Sequence, residues 1–193
     1  MELRSKYRMS LAPTHCDDPD PDGDVTLIIG SSKARMKVCS RIMSLASPAL
    51  AALFSPKFKE GHQLSTAGNV VVPLPEDDPD VFRLICNILH FKDFCYEVEL
   101  PLLLRLAITC DYYGITKPLE AWTEKWLDPH ILATNPDDWK SAGELLWISF
   151  ALGDAQNFTR TSQALMLYAS SSEFEILKMS ENTGYLPTKM LCE

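Results

Sequence analysis

The stretch GDVTLIIGSSKARMKVCSRIMSLASPALAALFSPKF, residues 23–58, decides the fold. It begins with Val25-Thr26-Leu27-Ile28-Ile29, a β-branched and aliphatic run behind the turn formers Pro21-Asp22-Gly23. Gly30-Ser31-Ser32-Lys33 is polar, and Ala34-Arg35-Met36-Lys37-Val38 then alternates apolar with charged residues. Two short extended runs around a Gly/Ser turn predict an antiparallel hairpin. Ser40 stands where a helix N-cap belongs, because its hydroxyl can accept from a free N–H of the first turn. Ile42, Met43, Leu45 and Ala46 follow at helical spacing. Pro48 opens a second helix, where its missing N–H is not needed, and Ala49, Leu50, Leu53 and Phe54 are expected to turn inward. A hairpin that feeds a helical hairpin is the nucleus of an α+β domain.

Outward from this nucleus, residues 1–22 read as a disordered tail. Pro13, Pro19 and Pro21 alternate with Asp17, Asp18, Asp20 and Asp22, a composition that buries too little surface to order itself. On the other side, Pro56-Lys57-Phe58-Lys59-Glu60-Gly61 is followed by a polar link through Gly68, and Asn69 to Leu74 reads as a third strand with Pro73 at an edge or strand end. Asp77-Asp78-Pro79 marks a helix start by charge and by proline position. The helix behind it carries an inward stripe of Val81, Leu84, Ile85, Ile88 and Leu89, with Phe82 and Cys86 beside it. Pro101 opens the next helix, apolar on several sides through Leu103, Leu104, Ala107, Ile108 and Cys110, and Gly114 closes it. Pro118 begins another, with Leu119, Trp122, Trp126 and Leu127 in line.

Pro129 and Pro136 predict a linker, which sets the expected organisation as a tail over 1–22, a domain over 23–128 and a helical extension over 129–193. Within the extension, Asp137-Asp138-Trp139 is an acidic helix start, and Leu145 to Leu152 is apolar. Gly153-Asp154 is a break, and a second helix runs through Phe158, Leu165 and Tyr168.

Net charge −8 and a pI near 5.0 exclude bulk electrostatic binding of nucleic acid or anionic lipid. No apolar run is long enough to span a bilayer, since the stretch from Leu100 to Ile115 is cut by Arg105 and Asp111. No secretory signal is expected, because no apolar segment follows Arg4, Lys6 and Arg8. The six cysteines, at 16, 39, 86, 95, 110 and 192, form no Cys-x-x-Cys pair. They read as thiols of a reducing compartment, cytoplasmic or nuclear, with Cys39, Cys86 and Cys110 on apolar faces.

No catalytic constellation assembles. His15, His62, His90 and His130 are scattered, and none has a second ligand at zinc spacing. Gly30-Ser31-Ser32-Lys33 lacks the Gly-Lys-Ser/Thr order of a phosphate loop, and no Gly-x-Ser-x-Gly elbow occurs. The expectation is a non-enzyme without metal or cofactor, a hydrolase with an unrecognised site being the remote alternative. Trp122, Trp126, Trp139 and Trp147 occupy helical core positions. Phe58-Lys59-Glu60 differs: an apolar residue stands among turn formers with little local reason to be there.

The series Gly23 to Ile29, Val38, Ile42-Met43-Ser44, Ser47-Pro48 and Leu53-Phe54 resembles the opening of a BTB (POZ) domain. The likeness continues through Glu76 to Pro79, Phe82, Ile88-Leu89-His90, Leu106-Ala107, Asp111 to Gly114, Trp122 and Trp126-Leu127. More weakly, it reaches Trp147-Ile148 and Gly153-Asp154. It covers roughly the middle two-thirds of the chain and is nearest to fungal members. The resemblance implies a protein–protein interaction module. Phe58-Lys59-Glu60 is similar to the hydrophobic-x-Glu motif by which some members engage a cullin, so these residues are the candidate partner-binding site. Two readings of Phe58 stand side by side, a cullin anchor or a side chain folded under the third strand.

This chain departs from the family where relatives carry His-Lys after the second strand and it has Cys39-Ser40. Asp24, which such a basic residue opposes in family dimers, is therefore expected to be unpaired. The swapped N-terminal helix of animal dimers gives way to the acidic run. A monomer or weak dimer is expected, acting as an adaptor between a cullin-type ubiquitin ligase and a substrate. The alternative is a self-associating scaffold in transcription or chromatin.

Overall fold

Alternation in the hairpin becomes a one-sided sheet. The computed structural model describes residues 18–92, 97–134 and 138–168. Strands β1 (Val25–Ile29) and β2 (Ala34–Val38) pair antiparallel, and β3 (Val70–Leu74) pairs parallel to β1, giving the order β2-β1-β3. Register places Val38, Val25 and Val70 in one row across the sheet and Met36, Leu27 and Val72 in the next. All six are buried, with Ile29 completing the face. Pro73 lies on β3, an outer strand, where its missing N–H breaks no ladder. The turn between β1 and β2 uses left-handed backbone at Gly30 (φ 65°) and Lys33 (φ 54°).

Among the described residues the helices are α1 (Ser40–Ala46), α2 (Pro48–Leu53), α3 (Lys59–Ala67), α4 (Pro79–Leu89), α5 (Leu100–Tyr113), α6 (Glu120–Ala133), α7 (Trp139–Ala151) and α8 (Ala155–Tyr168). A 3-10 turn over Lys117–Leu119 precedes α6. Asp78 caps α4 by accepting from the N–H groups of Asp80 (2.9 Å) and Val81 (3.2 Å). Of the predicted stripe on α4, Val81, Ile85, Ile88 and Leu89 are buried together with Phe82 and Cys86. Gly114 ends α5 in the left-handed conformation (φ 68°).

Ser47 joins two elements. It caps α2 through Leu50 N–H (3.1 Å), and its hydroxyl donates to the carbonyl of Tyr113 at the end of α5 (2.6 Å). The core they enclose contains Leu27, Ile29, Val38, Phe54, Ile85 and Leu89. Ile42, Leu53 and Leu104 are only half-buried against it.

Six expectations are corrected. Ser40 does not accept at a helix cap: Cys39 holds that position, and the Ser40 N–H and hydroxyl both donate to Asp24 (2.6 Å each). Asp24 is consequently paired within its own chain. Ala49, expected inward, is exposed, and Leu45 is exposed as well. The segment from Pro56 through the expected polar link to Gly68 contains α3, a polar helix with Leu64 half-buried, which lies along β3.

Residues 18–22 of the expected tail dock on β2. Asp20 N–H donates to the Lys37 carbonyl (2.9 Å), Lys37 N–H to the Asp18 carboxylate (2.9 Å), and Pro19 is buried. Finally, Pro129 is inside α6 rather than in a linker. The helix forgoes one hydrogen bond there, while Trp126 and Leu127 remain buried one turn earlier. Leu145, Trp147, Ile148 and Leu152 of α7 join the same core as the sheet. Residues 1–17, with Cys16 and His15, lie outside the described residues. So do Cys95, Pro136 and the stretch 170–193 with Cys192.

Candidate interaction surfaces

Phe58 is half-exposed (51%) and occupies the N-cap position of α3. Its backbone is braced: Phe58 N–H donates to the Ser55 carbonyl (3.1 Å), and the Phe58 carbonyl accepts from His62 N–H (2.9 Å). Gly61 is the reason that the first turn of α3 can fold back on this loop. A Cβ there would stand 2.0 Å from the Ser55 oxygen, inside any allowed contact. Lys59 is exposed. Glu60 is half-buried and lies in the first turn, where a carboxylate suits the positive end of the helix dipole. Phe58, Lys59 and Glu60 are therefore presented together at one corner, with Phe58 outside the core.

A second surface is an open groove of about 700 Å³ between the β3–α4 connection and the outer side of α5. Pro73, Leu74, Pro75, Ile108 and Tyr112 supply apolar surface, and Glu76, Asp77, Asp78 and Arg105 supply charge. Arg105 is committed to Asp78 by an ion pair of 2.8 Å. Tyr113 donates its hydroxyl to Asp77 (2.8 Å) and packs edge-on against Phe82 at 5.3 Å. Burial pushes the Asp77 carboxyl above its ordinary range, the Tyr113 hydrogen bond pulls it down, and the charge of Glu76 adds to the rise. Burial and the bond to Asp77 push the Tyr113 hydroxyl up as well. The sequence alone does not reveal this groove, because Asp77-Asp78 reads as a helix start. Its signal was the adjacent tyrosines Tyr112-Tyr113, of which one is buried and the other 77% exposed.

Two histidines elsewhere tie elements together. His90 accepts from Cys39 N–H through Nε2 (3.0 Å) and holds the Cys86 carbonyl through Nδ1 (2.8 Å), so it ties the end of α4 to the start of α1. His130 Nε2 bonds the Val98 carbonyl (2.6 Å), and His62 is exposed on α3. Burial pushes the thiols of Cys86 and Cys110 up to about 12, so both are protonated and inert at neutral pH. Among the described residues, no three His, Cys, Asp or Glu side chains are grouped to hold a metal ion. No described helix is long and apolar enough to cross a membrane.

The BTB/POZ domain profile matches residues 20–127, from the docked segment before β1 to the middle of α6. Comparison with curated proteins finds no match. A hairpin with a parallel third strand, an α1–α2 helical hairpin beneath it and α4–α5 closing the core agree with that match, which spans more than half of the chain. The protein belongs to the BTB/POZ domain family, a family of protein–protein interaction modules.

Proposed function

We propose that this protein is a substrate adaptor that holds a cullin scaffold of a ubiquitin ligase through Phe58, Lys59 and Glu60. Its helical extension or N-terminal tail selects the target. The supporting observation is Phe58 itself, a rigid aromatic ring that is half-exposed yet fixed by backbone hydrogen bonds on both sides. An anchor of this kind needs little ordering on binding and has a large area to bury. Glu60 acts at the rim, where pairing with a partner's base is worth about 0.2–1 kcal/mol. The order of the family motifs supports a fungal member, and the scattered cysteines support a cytoplasmic or nuclear site of action.

Calorimetric titration with a cullin N-terminal domain tests the proposal. Phe58→Ala is expected to weaken binding about 30- to 1,000-fold, as loss of a hot-spot anchor does. Glu60→Gln costs far less. Absence of binding by the wild-type chain at tens of micromolar ends the proposal.

One observation favours a second reading, the self-associating scaffold. Leu45 on α1 is 83% exposed beside the exposed Ala49 of α2, an apolar spot on the helical hairpin. Against strand exchange of the animal type, residues 18–22 are already engaged with β2 and Asp24 with Ser40. A monomer or weak dimer by sedimentation equilibrium is the expected result. A tight dimer abolished by Leu45→Asp would favour the scaffold.

A further inference from the structure

The groove between the β3–α4 connection and α5 has a composition that its neighbours do not explain. Its three carboxylates, Glu76, Asp77 and Asp78, face one cation, Arg105, which is already bonded to Asp78. Among the described residues no cation pairs with Glu76 or Asp77. These acids stand directly above apolar surface: Pro73 and Pro75 are exposed, Leu74 and Ile108 half-buried, and the Tyr112 ring is left largely in solvent by its edge-on contact with Tyr113 (5.0 Å). A volume of about 700 Å³ is within the range that ligand sites occupy.

We infer that this groove docks a short segment of a protein partner in which arginine or lysine is flanked by proline or aliphatic residues. Charge complementarity selects the cation. Glu76 and Asp77 offer it two carboxylates, and the negative charge of the whole chain (−8) raises the local concentration of basic segments. The Asp77 carboxylate also gains from this arrangement, since an adjacent cation offsets the burial and the Glu76 charge that disfavour its ionised form. The apolar floor selects the flanking residues. A tyrosine face exposed beside two prolines accepts proline rings and aliphatic stems, and it attracts an arginine plane. Backbone pairing is not the mode, because Pro73 offers no N–H from the strand that borders the groove. A bare polycation satisfies the carboxylates but leaves the floor unused, and nucleic acid is repelled by the carboxylates and by the net negative charge. The groove shares no residue with the Phe58 corner, so the inference stands whether or not a cullin binds.

The test uses the full chain and fluorescence anisotropy. The probe is a fluorescein-labelled octapeptide of prolines and leucines carrying two arginines. A second octapeptide has glutamates in place of the arginines, and spermine serves as competitor. Saturable binding of the basic peptide below about 1 mM is expected, with no binding of the acidic one and weak displacement by spermine. The double variant Glu76→Gln, Asp77→Asn and the single variant Tyr112→Ala are each expected to lower affinity about 10-fold or more, while Phe58→Ala leaves it unchanged. Asparagine at position 77 retains an acceptor for the Tyr113 hydroxyl, and a melting curve verifies the fold of each variant. Amide chemical-shift mapping gives an independent readout: shifts should gather at residues 73–78 and 105–113. Equal binding of the acidic peptide, full displacement by equimolar spermine, shifts centred elsewhere, or variants that bind like wild type would each overturn the inference.

Discussion

At the scale of single residues, Asp77 shows how one side chain serves fold and surface with opposite signs. Its folded-state carboxyl is held above 3.8 mainly by burial, so the native protein binds that proton more tightly than the unfolded chain does. The stabilising contribution is complete below 3.8 and is lost as pH rises through the raised value. Near neutrality the ionised group is a liability for folding. Asp77→Asn removes the charge and keeps the Tyr113 hydrogen bond, so its melting temperature should exceed that of wild type near pH 7. The difference should close by about pH 3. Calorimetric scans across that interval check both ends, and a variant less stable than wild type near pH 7 contradicts the argument. Ser40 teaches a related lesson about legibility. Its place at a helix start was plain in the sequence, but the direction of its hydrogen bonds depends on Asp24, on the other side of the hairpin.

At the scale of elements, what could be read early was what local chemistry determines. The strands announced themselves by β-branched runs, α4 by Asp78-Pro79 and its apolar stripe, and α5 by Pro101 and Gly114. Helix α3 stayed hidden because its sequence, KEGHQLSTA, has no apolar period and only Leu64 to bury. Its existence rests on Gly61 lying against the Ser55 carbonyl and on Gly68 closing the last turn at φ 75°. The groove was illegible for a different reason: Glu76 and Tyr112 line one groove only once the β3–α4 connection and α5, far apart in sequence, are brought together by the fold.

Gly61 also gives a separable prediction. Gly61→Ala forces α3 off the loop and should cost about 1–3 kcal/mol, the range of an overpacked site. It should also disturb any binding anchored at Phe58. Phe58→Ala, at an exposed position, should change stability by no more than about 0.5 kcal/mol. Urea unfolding of the pair measures both, and a large loss for Phe58→Ala would return that ring to the core.

At the scale of the molecule, the side chains of α7 are part of the interior rather than an appendix. Leu145, Trp147, Ile148 and Leu152 are buried in one cluster with Leu103, Leu106 and Ile115, and α6 carries the backbone unbroken past Pro129. A chain ended at Thr134 should therefore lose at least about 3 kcal/mol, more than one emptied core position, and should bind an apolar dye. Matching urea midpoints for the two lengths would instead restore an independent domain ending near 128. The strand order carries one more consequence, and it concerns time. The hairpin is complete when Val38 has been made, but the parallel neighbour of β1 ends at Leu74, 45 residues after Ile29 (74 − 29). At about 5–20 residues per second of synthesis, that separation lasts roughly 2–9 s. Throughout it, one side of the central strand has no partner from its own chain. The nascent protein is most open to wrong pairing in that interval, before any of its finished surfaces exist.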